Sequence, residues 1–315
     1  MRQILPVCAV LLAGAVSACA SVDSGLLSLA PANAQLIVGI DVQKTRDSQF
    51  GQYMLSKSQS GDAHFQEFID KTGFDPRRDL QNLMIVSMGN TGGAKGPGSF
   101  AVLARGVFDQ SKILAVASAK DGVTETYNGV SMTVYQKKKD AVAVAFPQVG
   151  VAVMADLATM QQIITNLSTP TSFSPDLTAR INAAGNANDA WFVSTTGPSG
   201  WKQAIPDAGT GPMQGQAQAL NAIRSASGGM KSGTKVDISF DATARSAGDA
   251  TSLADVFRFM ASAVQMQRQQ NAQAAVVATA MDNMILTTSG STVHIAFSIP
   301  EKSLEQLAES GPARH

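Results

Sequence analysis

Val142-Ala143-Val144-Ala145-Phe146-Pro147-Gln148-Val149-Gly150-Val151-Ala152-Val153-Met154-Ala155-Asp156-Leu157 decides the fold. Two short runs rich in β-branched residues flank a turn containing glycine, which is the pattern of paired strands. Asp156 then stands where a helix needs a side-chain oxygen for its free amides, ahead of Met160, Ile163, Ile164 and Leu167 at helical spacing. The same order returns later in the chain: Met284 to Thr288, the turn Ser289-Gly290-Ser291, Val293 to Ile299, and a helix from Glu301. A strand, turn, strand, helix unit closing each half predicts an α+β fold of two similar halves, each an antiparallel sheet with helices packed on one face.

Outward from that unit, Leu36 to Val42 reads as a buried strand, and Ser48 stands as a cap before a helix carrying Phe50, Tyr53 and Leu55. A second helical stretch with Phe65, Phe68 and Ile69 ends at Gly73. Leu83 to Met88 and Ser99 to Gly106 predict a hairpin around a Gly-rich connection, and Asn128-Gly129 marks a second hairpin between Thr124 to Tyr127 and Met132 to Gln136. Asp109 or Ser111 opens a helix between the two. The Ser, Thr and Pro residues of Ser168 to Pro175 predict a break. These signals place a first α+β module at 34–167, a linker at 168–188 and a second module at 189–310. In the second module, Asp189 to Thr195 and Lys235 to Arg245 are expected as strands, Gly215 to Ser227 as a helix, and Ala250 to Met281 as one long helix.

The amino terminus has one positive charge, Arg2, ahead of the apolar run Ile4 to Val16, and then small residues. Those are the parts of a signal peptide, expected at 1–18. The run is shorter than the roughly 20 apolar residues a spanning helix needs. Val16-Ser17-Ala18-Cys19 resembles the lipobox of bacterial lipoproteins, which implies lipidation of Cys19, a lipidated tether at 19–33 and a membrane partner reached through that anchor. Ordinary cleavage after Ala18 or Ala20, giving a soluble periplasmic or secreted protein, is the alternative. Ala20 occupies the place where lipoproteins retained in the inner membrane carry Asp, so the outer membrane, facing the periplasm, is the expected location.

Both cysteines, Cys8 and Cys19, lie in this leader region, which removes disulfides, thiolate nucleophiles and cysteine metal sites from the folded part. Lys and Arg total 24, Asp and Glu total 24, and no block of either sign occurs, so no nucleic-acid partner is expected.

Each cluster that could carry chemistry has a simpler reading. His64, His294 and His315 have no second histidine at ligand spacing. Asp75-Pro76-Arg77-Arg78-Asp79 could offer a guanidinium pair to an anion, but a turn with the arginines paired to Asp70 and Asp79 accounts for it. Lys137-Lys138-Lys139 is a solvated hairpin tip. Gly89 to Gly98 has the glycines and lysine of a phosphate loop, yet Lys95 precedes Gly96 and a strand instead of Ser or Thr and a helix. Thr196-Gly197-Pro198-Ser199-Gly200 is a turn without an identifiable base for its serine. Gln265 to Gln273 has little to bury and is expected to project or kink. No catalytic, cofactor-binding or metal-binding residue is assigned, and no cofactor.

Pro31 to Val42 with Ser48-Gln49-Phe50-Gly51, Gly73 to Leu80, and Ala104 to Phe108 resemble uncharacterised exported proteins of Acidobacteria-like soil bacteria. That resemblance covers mainly the first half and implies no activity. The expected function is a non-enzymatic cell-envelope lipoprotein that binds an envelope protein or ligand. The alternative is a periplasmic, hydrolase-like enzyme whose acid and base are separated Asp and Glu residues, and a cleft holding two close carboxylates would favour it.

Overall fold

In the computed structural model, which describes residues 22–58, 63–89, 99–119, 121–137, 140–197, 217–269 and 272–309, the chain enters through α1 (Ser24–Leu29) and β1 (Leu36–Asp41). Four helices, α2 (Val42–Asp47), α3 (Gln49–Ser58), α4 (Ala63–Thr72) and α5 (Pro76–Asp79), precede the paired β2 (Leu80–Gly89) and β3 (Ser99–Gly106). α6 (Gln110–Ser118) leads into β4 (Val123–Tyr127), β5 (Val130–Lys137), β6 (Asp140–Gln148) and β7 (Val151–Asp156), then α7 (Leu157–Thr165) and α8 (Pro175–Ala187). There follow β8 (Ala190–Ser194), α9 (Ala217–Leu220), β9 (Ile223–Lys231) and β10 (Lys235–Ala244). The chain closes with α10 (Ala247–Met266), α11 (Ala272–Asp282), β11 (Ile285–Ser289), β12 (Thr292–Pro300) and α12 (Glu301–Glu309). The fold is α+β. Its described strands form one 12-stranded antiparallel sheet in the order β11-β12-β10-β9-β8-β1-β2-β3-β7-β6-β5-β4. From the β1–β8 pair, β1-β2-β3-β7-β6-β5-β4 runs one way and β8-β9-β10-β12-β11 the other.

Local chemistry explains most of these boundaries. Asp156 accepts from the Thr159 amide at 3.0 Å and from its hydroxyl at 2.7 Å, which starts α7. Asp109 caps α6 through the Lys112 amide, and Asp41 caps α2 through the Lys44 amide. The Ser48 hydroxyl accepts from the Gly51 amide at 2.9 Å at the entry of α3. The β4–β5 turn takes positive φ at both Asn128 (45°) and Gly129 (80°), the geometry whose twist matches a two-residue hairpin.

The core changes sides of the sheet at its centre. Following the cross-strand register, Ile37, Val86, Ala101, Ala155 and Ala143 share one face, and Val193, Ser227, Asp241 and His294 continue that same face into the second half. In the first half this face is covered by Leu26 and Leu29 of α1, Met160, Ile163 and Ile164 of α7, and Leu177 and Ile181 of α8, all in one buried cluster. In the second half α8 still packs on β8 and β9, and beyond them the face is polar: Asp237, Ser239, Asp241 and Thr243 alternate along β10 with Val236, Ile238, Phe240 and Ala242, and among the described residues no comparable buried cluster covers them. The apolar set points to the opposite face, where Ala242, Ala244, Val293 and Ile295 pack with Ala250, Leu253 and Ala254 of α10. Helices therefore lie on both faces.

Several segments differ from the sequence expectation. The segment 168–188, expected as a linker, contains α8, started by Ser174 and Pro175 and buried through Leu177, Ile181 and Ala184. The apolar patch of the expected tether is α1, with Leu26 and Leu29 in the core. Only α9 is helical within the described part of 215–227, and Ile223 onward belongs to β9, whose Ala226 and Ile223 are buried beside β10. The single long helix expected at 250–281 is two, because the chain turns back after Met266. Gln265 then bonds the Ala278 carbonyl at 2.8 Å and Asp282 at 2.9 Å, and Arg268 pairs with Asp282.

Candidate functional site

The opposite face of the first half, away from α1, α7 and α8, is also apolar. Val38, Ile85, Val102, Met154 and Val144 lie in one cross-strand row on it, and Ile40, Leu83, Ala104 and Ala152 in the next. α4 and α6 stand over part of this surface without filling the space beneath them. The result is a cavity of about 480 Å³. Its floor is Leu83, Val102, Ala104, Val144, Ala152 and Met154, its roof is Phe68 of α4 with Ile113, Val116 and Ala117 of α6, and Phe74, Phe108 and Phe146 close one side. The phenylalanines form a chain of ring contacts: Phe68 to Phe74 at 6.3 Å, Phe74 to Phe108 at 5.0 Å and Phe108 to Phe146 at 5.7 Å between centroids. Small side chains at Ala104 and Ala152 and large ones at the rim create the volume. It falls within the range of about 300–1,000 Å³ that ligand pockets span.

Tyr135 supplies the polar group of the lining. Burial pushes its phenol above the ordinary value, and no described residue bonds to its hydroxyl. On the same face, Leu36, Val38, Phe192, Met230, Ile238 and Phe240 line a second hollow of about 540 Å³. Phe192 and Phe240 are in ring contact at 6.0 Å, and Phe240 meets Phe257 of α10 at 6.3 Å. Only Ile85 of β2 separates Val38 of the second hollow from Val102 of the first. The pair of hollows can receive hydrophobic chains, and Tyr135 offers a neutral donor in the first.

The residues singled out in sequence fall elsewhere. Cys19, His315, Lys138, Lys139, Pro198 to Gly200 and the Gly-rich segment 90–98 lie outside the described residues. His64 is on α4. His294 Nδ1 meets Asp241 at 2.8 Å across the β10–β12 pair on the open polar face. Arg77 pairs with Asp75 at 2.8 Å and its guanidinium lies 5.5 Å from the Phe65 ring, while Arg78 pairs with Asp79 at 2.7 Å. Asp75 and Asp79 are held below the usual carboxylate range by those arginines. Asp70 accepts from Gln66 instead of an arginine, because Asp75 caps α5 and turns both guanidinium groups toward its own turn.

Three carboxylates, Asp23, Asp41 and Asp189, line a pocket of about 20 Å³, room for about one water. Each is committed to structure: Asp23 to Arg105 and the Leu26 amide, Asp41 to the Lys44 amide and ammonium, Asp189 to the Ser232 amide at 2.8 Å. Among the described residues no group of three or more His, Cys, Asp or Glu side chains is placed to hold a metal ion.

The apolar cavity was not assigned from sequence, although a signal exists. Val102 and Ala104 alternate with Ala101 and Leu103, so β3 is apolar on both faces and needs cover on both.

No protein-family model matches the chain, and no curated protein matches it either. Among solved structures, it is similar in fold to the Treponema protein TP0453. Crystal form III of TP0453 superposes with a TM-score of 0.54 at 9% identity, covering 90% of this chain and 97% of that one. Crystal form IV gives 0.50 at 10% identity, covering 90% and 96%. At that identity the likeness concerns the fold.

Proposed function

We propose that this chain is a non-enzymatic lipoprotein of the bacterial cell envelope that binds acyl chains in the cavity beneath α4 and α6. The observation that carries the reading is that cavity, about 480 Å³ of space between two helices and a sheet, walled by phenylalanine and aliphatic side chains. A lipobox-like Val16-Ser17-Ala18-Cys19 after an apolar leader supports an anchor at Cys19, and the absence of Asp at position 20 supports the outer membrane facing the periplasm. Fold similarity to a bacterial protein over 90% of the chain is consistent with the bacterial setting.

Burying each methylene contributes about 0.8 kcal/mol, so about sixteen methylenes contribute about 13 kcal/mol, which against an association cost of about 4 kcal/mol leaves micromolar binding. Tyr135 then donates to the carboxyl or ester oxygen at the polar end of the chain. The test is a titration of the purified protein with a fluorescent long-chain fatty acid. Wild type is expected to bind it, and Ala104→Trp, which fills the cavity floor, to weaken binding at least tenfold with an unchanged melting curve. Equal binding by the two proteins overturns the assignment. Intact-mass analysis of membrane-extracted wild type beside Cys19→Ala tests the anchor: an unmodified wild-type amino terminus contradicts it.

A further inference from the structure

The sheet is open, and its two edges differ. β4 forms one and β11 the other. An edge strand presents unpaired N–H and C=O groups, and natural sheets blunt such edges with charges, proline, bulges or cover. β11 reads Ile285-Leu286-Thr287-Thr288-Ser289, with no charge and no proline, and its register with β12 is unbroken. Ile285 is 58% exposed. Among the described residues no strand and no side chain bonds to its outer edge.

The geometry of the hairpin fixes which groups face outward. Ser289 and Thr292 flank the two-residue loop Gly290-Ser291, where Gly290 takes φ 56°. In such a hairpin the flanking pair is hydrogen-bonded and bonding alternates along the ladder. Ile285, Thr287 and Ser289 therefore bond to β12, while Leu286 and Thr288 direct their N–H and C=O away from the sheet.

We propose that β11 is a self-association surface whose occupant is the same strand of a second copy, running antiparallel about a two-fold axis at Thr287. In that register Leu286 and the partner's Thr288 exchange backbone hydrogen bonds, and so do Thr288 and the partner's Leu286. Thr287 faces the partner's Thr287 as a non-hydrogen-bonded pair, a favourable cross-strand match. No like charges meet. At β4 the equivalent pairing about its central residue sets Glu125 against the partner's Glu125, which disfavours it. Pairing β4 with β11 is heterologous and generates rings or filaments, whereas the β11 pair is isologous and stops at two copies.

Analytical ultracentrifugation of the full chain in mild detergent tests this, with circular dichroism confirming each variant's fold. Wild type is expected at twice the chain mass. Thr287→Lys places two ammonium groups at the axis, and Thr288→Pro removes an N–H that β12 does not use; each is expected to halve the mass. Thr126→Lys, on the other edge, is expected to leave the dimer intact. A monomeric wild type at every concentration, or a dimer that survives Thr287→Lys, overturns the proposal. Thr287→Lys decides the matter if Thr288→Pro fails to fold, since the Thr287 side chain lies at the exposed edge.

Discussion

A Cβ on Gly39 would lie 2.4 Å from the ring of Trp191, its partner across the central β1–β8 pair. Trp191 is buried, so it cannot yield without disturbing the junction of the two halves. Gly39→Ala is expected to lower stability by about 1–3 kcal/mol, the usual range for overpacking, read from urea unfolding. A second residue-scale test concerns Asp23, whose carboxylate is paired with Arg105, one of the bonds being 2.9 Å. Burial raises the carboxyl's pKa, but the Arg105 bond, the Leu26 amide and the Arg105 charge together hold it below the ordinary value. The native state therefore binds fewer protons than the unfolded one. The stability this confers is complete above an unfolded value of about 3.9 and drains away as pH falls from there through the lower folded value. Asp23→Asn is expected to cost about 1–3 kcal/mol at neutral pH and to flatten the loss of stability below about pH 4, measured by denaturant titration across pH. In the sequence Asp23 is a charge after the leader and Arg105 a residue on a strand. Nothing in spacing links positions that meet only when α1 docks on β3.

Helix starts were the most legible elements, because the capping oxygen and the amides it serves are three residues apart. Asp156 stands where the sequence places it, and of the two residues the sequence offers for α6, Asp109 and Ser111, Asp109 is the cap. The two differ in surroundings: Asp156 also accepts from the Phe100 amide at 3.1 Å, while the Asp109 cap is exposed. Asp156→Ala is therefore expected to cost about 2 kcal/mol and Asp109→Ala about 0.5–1 kcal/mol, compared by thermal unfolding of the two variants. Strands with alternating or continuous apolar runs were legible for the same local reason. α8 was not, since its Ser174-Pro175 start shares its composition with a linker, and only the burial of Leu177 and Ile181 distinguishes a capped helix from a break. The reversal between α10 and α11 is set by Gln265 and Arg268 reaching across to Asp282, contacts that no periodicity encodes.

At the scale of the molecule, one sheet carries two cores on opposite faces, and the change of side exposes a polar surface in the second half and leaves an incompletely filled apolar one in the first. The α+β class was legible from the repeated strand, turn, strand, helix unit. The cavity was not, because its phenylalanines come from three separate stretches, at 68–74, 108 and 146, and converge only when α4 and α6 cross the sheet. The proposed acyl-chain binding is tested by mass spectrometry of an organic extract from natively purified protein. Wild type is expected to carry acyl lipid in near-equal proportion to chain, and equally stable Ala104→Trp to carry far less. A lipid-free wild type, or equal lipid on both proteins, would contradict it.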